Sequence, residues 1–151
     1  MKVIMIGGQP IPQRYAQCLG KLCHAFGCSY GGTELLATAF HVATNIDHFS
    51  DHCCGNPVKG VGIKIVDDNG DIVPVGVQGE IYVRSKGLFK EYYNDPEKTR
   101  QAFTPDGWFR TDDLGHMTEN GILYVKGRKS DIIISGTMKV LPSVLEGVLS
   151  S

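Results

Sequence analysis

Apolar and polar positions divide the chain into a front part of mixed period and a longer back part that repeats every second residue. Val3-Ile4-Met5-Ile6 is a short continuous apolar run, so residues 2–6 read as a buried strand, and Gly7-Gly8-Gln9-Pro10 reads as the turn that follows. Over 12–26 apolar positions return at helical spacing. This predicts an amphipathic helix with Pro12 near its start, where a missing N–H costs nothing. Residues 35–40 form a short apolar run that suits helix and strand alike, and a polar stretch continues to Asn56. Residues 61–66 and 79–84 alternate with the strand period around a turn at Asp68-Asn69-Gly70-Asp71. Asp95-Pro96-Glu97 supplies an N-cap and a first-turn proline for a brief helix to about Phe103. Turns at 104–107 and 118–121 follow, the second feeding a strand at 122–125. A further strand at 132–134 and a helix opening at Pro142 close the pattern. The later strands are antiparallel candidates.

The 151 residues, 42% hydrophobic and 21% charged, fit about one ordinary domain with a real core. Fifteen basic residues against sixteen acidic ones leave a formal charge of -1, so no large basic field exists to hold nucleic acid or an anionic membrane. Gly7, Gly8 and Pro10 cut the first apolar run well below signal or transmembrane length. Five cysteines are an odd number for an oxidised framework, which favours a reducing, intracellular setting and leaves the choice between mitochondrial and cytoplasmic compartments open.

Three segments carry candidate chemistry. In Ser29-Tyr30-Gly31-Gly32-Thr33-Glu34, paired glycines let backbone approach a ligand and threonine adds a hydroxyl. Glutamate suits a hard cation such as Mg2+, and tyrosine can stack on a base. The same run also fits an ordinary glycine turn capped by threonine. Gly107-Trp108-Phe109-Arg110-Thr111-Asp112-Asp113-Leu114-Gly115 combines rare residue types over nine positions, although Trp108 alone fits core packing. Gly127-Arg128 puts a permanent guanidinium after a strand, where a surface ion pair is the plainer use. His48, His52, Cys53 and Cys54 match no strong zinc spacing, and His24, His41 and His116 have no readable nucleophile partner.

Taken in order, these segments and Gly7-Gly8-Gln9-Pro10 resemble the middle and late motifs of the adenylate-forming superfamily, which holds acyl-CoA synthetases, luciferases and peptide-synthetase adenylation domains. The resemblance runs from Val3 to Leu149. It includes Gly87-Leu88-Phe89-Lys90-Glu91-Tyr92-Tyr93-Asn94-Asp95-Pro96-Glu97-Lys98-Thr99, similar to a run in acyl-CoA synthetases that points to fatty acyl ligases. Residues 94–99 with Thr104-Pro105-Asp106-Gly107-Trp108-Phe109-Arg110-Thr111 look most like medium-chain acyl-CoA synthetases of the mitochondrial type. An α/β fold is implied: residues 1–56 as the end of an α/β adenine-binding subdomain, 57–128 as a small distorted antiparallel β-barrel, and 129–151 as the hinge and start of a C-terminal domain. By resemblance Gly8, Gln9 and Pro10 line the adenine, Tyr30 stacks on it beside Gly31 and Gly32, and Thr33 approaches the phosphates. Glu34 assists Mg2+, Asp113 accepts from both ribose hydroxyls, Arg128 lies near the same ribose, and Ser130 takes the hinge position.

A full-length member of that superfamily adenylates a carboxylate, here expected to be a fatty acid, with ATP and passes the acyl group to coenzyme A. The resemblance implies a chain that starts after the phosphate-binding loop and stops before the catalytic lysine, hence a fragment nearly inert alone. The alternative is a catalytically dead AMP- or ATP-binding or protein-interaction module. This chain departs from the family at Gln9, at Asp112 in place of glycine, at Ser130 in place of lysine or aspartate, at Thr137 and at Val144, while Glu146 matches. A first strand lacking sheet neighbours would leave an edge prone to self-association.

Overall fold

The computed structural model describes residues 3–8, 11, 13–44 and 49–149. In chain order the elements are β1 (Val3–Gly7), α1 (Gln13–Gly20), β2 (Ala25–Gly32), β3 (Leu36–Ala43), β4 (Cys53–Pro57), β5 (Gly62–Val66) and β6 (Gly79–Arg84). Then come α2 (Pro96–Ala102), β7 (Phe109–Met117), β8 (Leu123–Arg128), β9 (Ile133–Ser135), β10 (Met138–Val140) and α3 (Pro142–Leu149). Eight strands form one sheet in the order β1-β2-β3-β4-β8-β7-β6-β5. β1 and β2 are parallel, joined through α1, and every later pairing is antiparallel. The α/β class expected from the sequence is the one observed.

The antiparallel half is an open ladder rather than a closed barrel, because β5 and β1 stand at the two ends of the strand order. Beyond β5 the Asp67 carboxylate accepts the N–H groups of Asn69 and Asp71 at 2.8 and 3.0 Å, which sharpens the turn. The chain then folds back, Ile72 bridging to Val66 and the Val73 N–H donating to the Ile65 carbonyl at 3.1 Å. Thus β5 finds a local partner where closure would need a distant strand.

Several boundaries differ from the sequence reading. The expected helix over 12–26 ends at Gly20, and Ala25 opens β2 with four consecutive buried residues. A run buried on both faces has no periodicity to mark it as strand, and parallel pairing with β1 on one side and β3 on the other explains it. Of residues 35–40, Leu36 onward resolves as strand within β3 and Leu35 ends the preceding turn. β4 lies in the stretch read as polar, since Gly55, Asn56 and Pro57 hide its pattern. α2 begins as expected, with the Asp95 carboxylate accepting the Lys98 N–H at 2.9 Å. Gln9, Pro10, Pro12, His48 and the side chain of Glu146 lie outside the described residues.

Two cores hold the fold. One gathers Tyr30, Leu35, Ala39, Ile81, Val83, Phe109, Leu123 and Val125 beneath the antiparallel ladder. The other packs Ile11 and Ala16 against Phe26, Cys28, Phe49 and Cys53, with the Phe26 and Phe49 rings edge-on at 5.0 Å. β2 contributes to both cores, so its last residues are rigidly placed where the parallel and antiparallel parts meet. Among the described residues no helix is long and apolar enough to cross a membrane.

Candidate functional site

The end of β2 is where the ladder first breaks register. The pairing with β3 shifts between Tyr30 and Gly31, and such an irregularity re-aims a side chain out of its regular alternation. Gly31 is fixed by sterics: a Cβ there would stand 1.9 Å from the Leu36 carbonyl oxygen, so only glycine lets β2 and β3 approach so closely. Tyr30 is 8% exposed, and its hydroxyl donates to Asp113 Oδ2 at 2.6 Å across 83 residues of sequence.

Asp113 reaches that position through a second irregularity. Between the Glu80–Leu114 and Tyr82–Arg110 pairs β7 carries extra residues, and Thr111 takes over part of the lost ladder. The Thr111 hydroxyl donates to the Ile81 carbonyl at 2.7 Å and accepts the Asp113 N–H at 3.0 Å. Asp112 occupies the left-handed region at φ 63°, a conformation that costs a non-glycine residue of order 1 kcal/mol, though aspartate tolerates it better than most. Its carbonyl accepts the Lys129 N–H at 2.7 Å and its carboxylate accepts the Ser130 N–H at 3.3 Å. The residue that departs from the family glycine therefore ties β7 to the segment after β8.

Register pairing sets Asp113 opposite Arg128 on β8. The Arg128 Nε lies 3.7 Å from Asp113 Oδ1, too long for a hydrogen bond, so this is an ion pair that leaves lone pairs on Oδ1 free. Burial holds the Asp113 carboxyl above the ordinary carboxylate range. The Tyr30 hydrogen bond and the Arg128 charge pull it down, while the Asp112 and Asp131 charges add to the rise. Burial and the adjoining Asp113 also push the Tyr30 phenol up, so its proton stays on at neutral pH.

These groups line one cavity of ≈ 270 Å³, together with Gly8, Gly31 and Asp131. Of the residues singled out from sequence, Gly8, Tyr30, Gly31, Asp113 and Arg128 are brought together there. Gly32, Thr33 and Glu34 are not on its wall; they form the strand end and turn just beyond Gly31. Glu34 accepts the Tyr92 hydroxyl at 3.2 Å, and burial, followed by that carboxylate, raises the Tyr92 phenol against an opposing effect of Arg128. Ser130 is exposed beside the cavity rim, next to Asp131. Ser29, Cys54 and Val125 are wall residues given no role from sequence. Cys54 was weighed from sequence only as a metal ligand, because β4 was not read as a strand. Burial pushes its thiol up to about 12, so it presents a neutral, soft surface.

An enclosed aromatic hydroxyl, a part-buried carboxylate and an exposed guanidinium converge from β2, β7 and β8 on one cavity of an α/β protein, an arrangement that suits a small polar molecule. The family model described as AMP-binding enzyme matches residues 1–93, and the chain belongs to that family. It is 32% identical over 149 residues to the indoleacetate–CoA ligase of Aromatoleum aromaticum, covering 99% of this chain and 29% of that protein. Against the medium-chain fatty-acid–CoA ligase of Escherichia coli (strain K12) it is 32% identical over 156 residues, covering 99% of this chain and 26% of that protein. The O-succinylbenzoate coenzyme A synthetase from Bacillus subtilis, solved in complex with ATP and magnesium ion, superposes with a TM-score of 0.85. Identity there is 32%, over 99% of this chain and 31% of that one. The chain thus spans less than a third of the length of the relatives it matches.

Proposed function

We propose that these residues form the adenosine-facing part of an ATP-dependent acyl-CoA ligase. In the proposed reaction a carboxylate oxygen of the acid attacks the α-phosphorus of ATP and pyrophosphate leaves. The thiol of coenzyme A then attacks the acyl carbonyl and AMP leaves. Catalysis at phosphorus rests mainly on positioning and charge neutralisation. The observation that carries the reading is the Tyr30–Asp113–Arg128 convergence on one cavity.

The cavity approaches the ~300 Å³ lower end of small-ligand clefts, a size for a nucleoside rather than a whole activated substrate. Asp113 offers Oδ1 as an acceptor for a vicinal diol, while Oδ2 is locked by Tyr30, so the carboxylate is already oriented. Arg128, 66% exposed at its side chain, is free to reach a hydroxyl or phosphate oxygen. Tyr30 and Gly8 offer ring and backbone to the base. Thr33 faces the phosphates in this reading, and Ser130 marks the point about which a following domain turns.

The donor set also fits Mg2+. Among the described residues no cluster of three ligating side chains exists, and Mg2+ is held by one or two carboxylates completed by substrate phosphates. Glu34 is that carboxylate here. Bound magnesium neutralises phosphate charge; the chain's own part is to present Glu34 and to hold the nucleoside. A fatty acid is the proposed acid, supported by the 87–99 phrase and the medium-chain relative, while indoleacetate and succinylbenzoate in the other relatives' names mark aryl acids as the competing class.

Calorimetric titration of this chain with AMP and with AMP lacking both ribose hydroxyls tests the reading. The diol-free nucleotide is expected to bind at least about tenfold more weakly, since each hydrogen bond to a charged group contributes about 1.5–3 kcal/mol. Equal affinities would remove Asp113 from ribose recognition.

A further inference from the structure

We propose that Tyr92 is a positioning residue for Glu34, fixing the orientation in which that carboxylate meets a nucleotide-bound divalent cation. The proposal rests on Glu34 being the metal-facing carboxylate. Glu34 sits in the β2–β3 turn, and the segment between β6 and α2 grips it twice. The Phe89 N–H donates to the Glu34 carbonyl at 3.0 Å, and the Tyr92 hydroxyl donates to Oε1 at 3.2 Å. Main chain and side chain are thus held by the same short stretch, across 58 residues of sequence.

Tyr92 is itself over-determined. Its N–H donates to the Thr99 hydroxyl at 2.9 Å, and that hydroxyl donates to the Asp95 carbonyl at the same distance, at the start of α2. The Lys98 Nζ stands 4.2 Å over the ring, and the Phe89 ring packs at 4.7 Å. A ring so fixed makes its hydroxyl a stationary donor. Glutamate has three side-chain torsions to freeze, and engaging Oε1 restricts them while leaving Oε2 for a cation. Partners behind a metal ligand commonly change metal affinity by about 10- to 100-fold. Nothing about Tyr92 requires it to touch nucleotide.

Manganese paramagnetic resonance, with Mn2+ and ATP titrated into this chain and its variants, tests the assignment. Tyr92→Phe keeps the ring against Phe89 and under Lys98, so packing is retained. It is expected to weaken Mn2+·ATP binding about tenfold and to leave metal-free AMP binding unchanged. Loss of both affinities in equal measure would overturn the proposal, because Tyr92 would then support the cavity in general. Glu34→Gln separates the two readings. If it weakens Mn2+·ATP binding and Tyr92→Phe does not, the positioning role fails alone; if neither variant has an effect, the metal reading of Glu34 fails with it.

Discussion

The part-buried carboxylate of Asp113 sets its proposed recognition role and stability in opposition at a single residue. With its carboxyl raised above the ordinary value of about 3.9, the native state favours the protonated form. That contribution is fully present below the ordinary carboxylate value and is lost as pH rises through the higher native one. Asp113→Asn keeps an oxygen for the Tyr30 hydroxyl and has no charge to desolvate. The variant is therefore expected to gain on wild type as pH rises across that window, with the difference flat above it. Urea unfolding of both proteins over a series of pH values reads this directly; a pH-independent difference would show that Asp113 is not strained by burial. At this scale the sequence was informative where residue type limits chemistry, and Tyr30, Asp113 and Arg128, singled out from their motifs, line one cavity. Cys54 shows the converse. A small neutral residue in an unread strand carries no signal until its neighbours are known.

Elements deliver these residues through breaks in regular pairing. Register shifts fall at Tyr30/Gly31, which line the cavity, at Leu114/Gly115 next to Asp113, and between Glu80 and Tyr82 on the strand paired with β7, and such breaks re-aim side chains that strict alternation would send elsewhere. Gly31→Ala tests this dependence. Its Cβ would meet backbone rather than a flexible side chain, so the β2–β3 ladder must separate, with an expected loss of about 1–3 kcal/mol or more in denaturant unfolding. A neutral result would show that the approach of the two strands is not fixed. Period-two patterning revealed β5 and β6, and capping chemistry located α2, because each signal is local. β2, β4 and the long β7 escaped for a shared reason: burial on both faces, or glycine, proline and bulged residues, erase alternation.

For the whole molecule, the open strand order leaves β1 with one neighbour among the described residues and with Val3 and Met5 about half exposed. An unpaired apolar edge is a template for a second chain. Sedimentation is expected to show association that grows with protein concentration, and Met5→Lys, which places a charge on that strand, is expected to reduce it; a concentration-independent monomer would contradict this. The α/β class was legible from the sequence, whereas openness was not, because closure depends on where β5 finds a partner after its turn. The same topology brings β2, β7 and β8 to one cavity, and on that convergence the functional account stands. Calorimetric titration of AMP into wild type and Asp113→Ala measures it most directly. The account predicts a measurable affinity for wild type that falls at least about tenfold in the variant; equal affinities for the two proteins would contradict it.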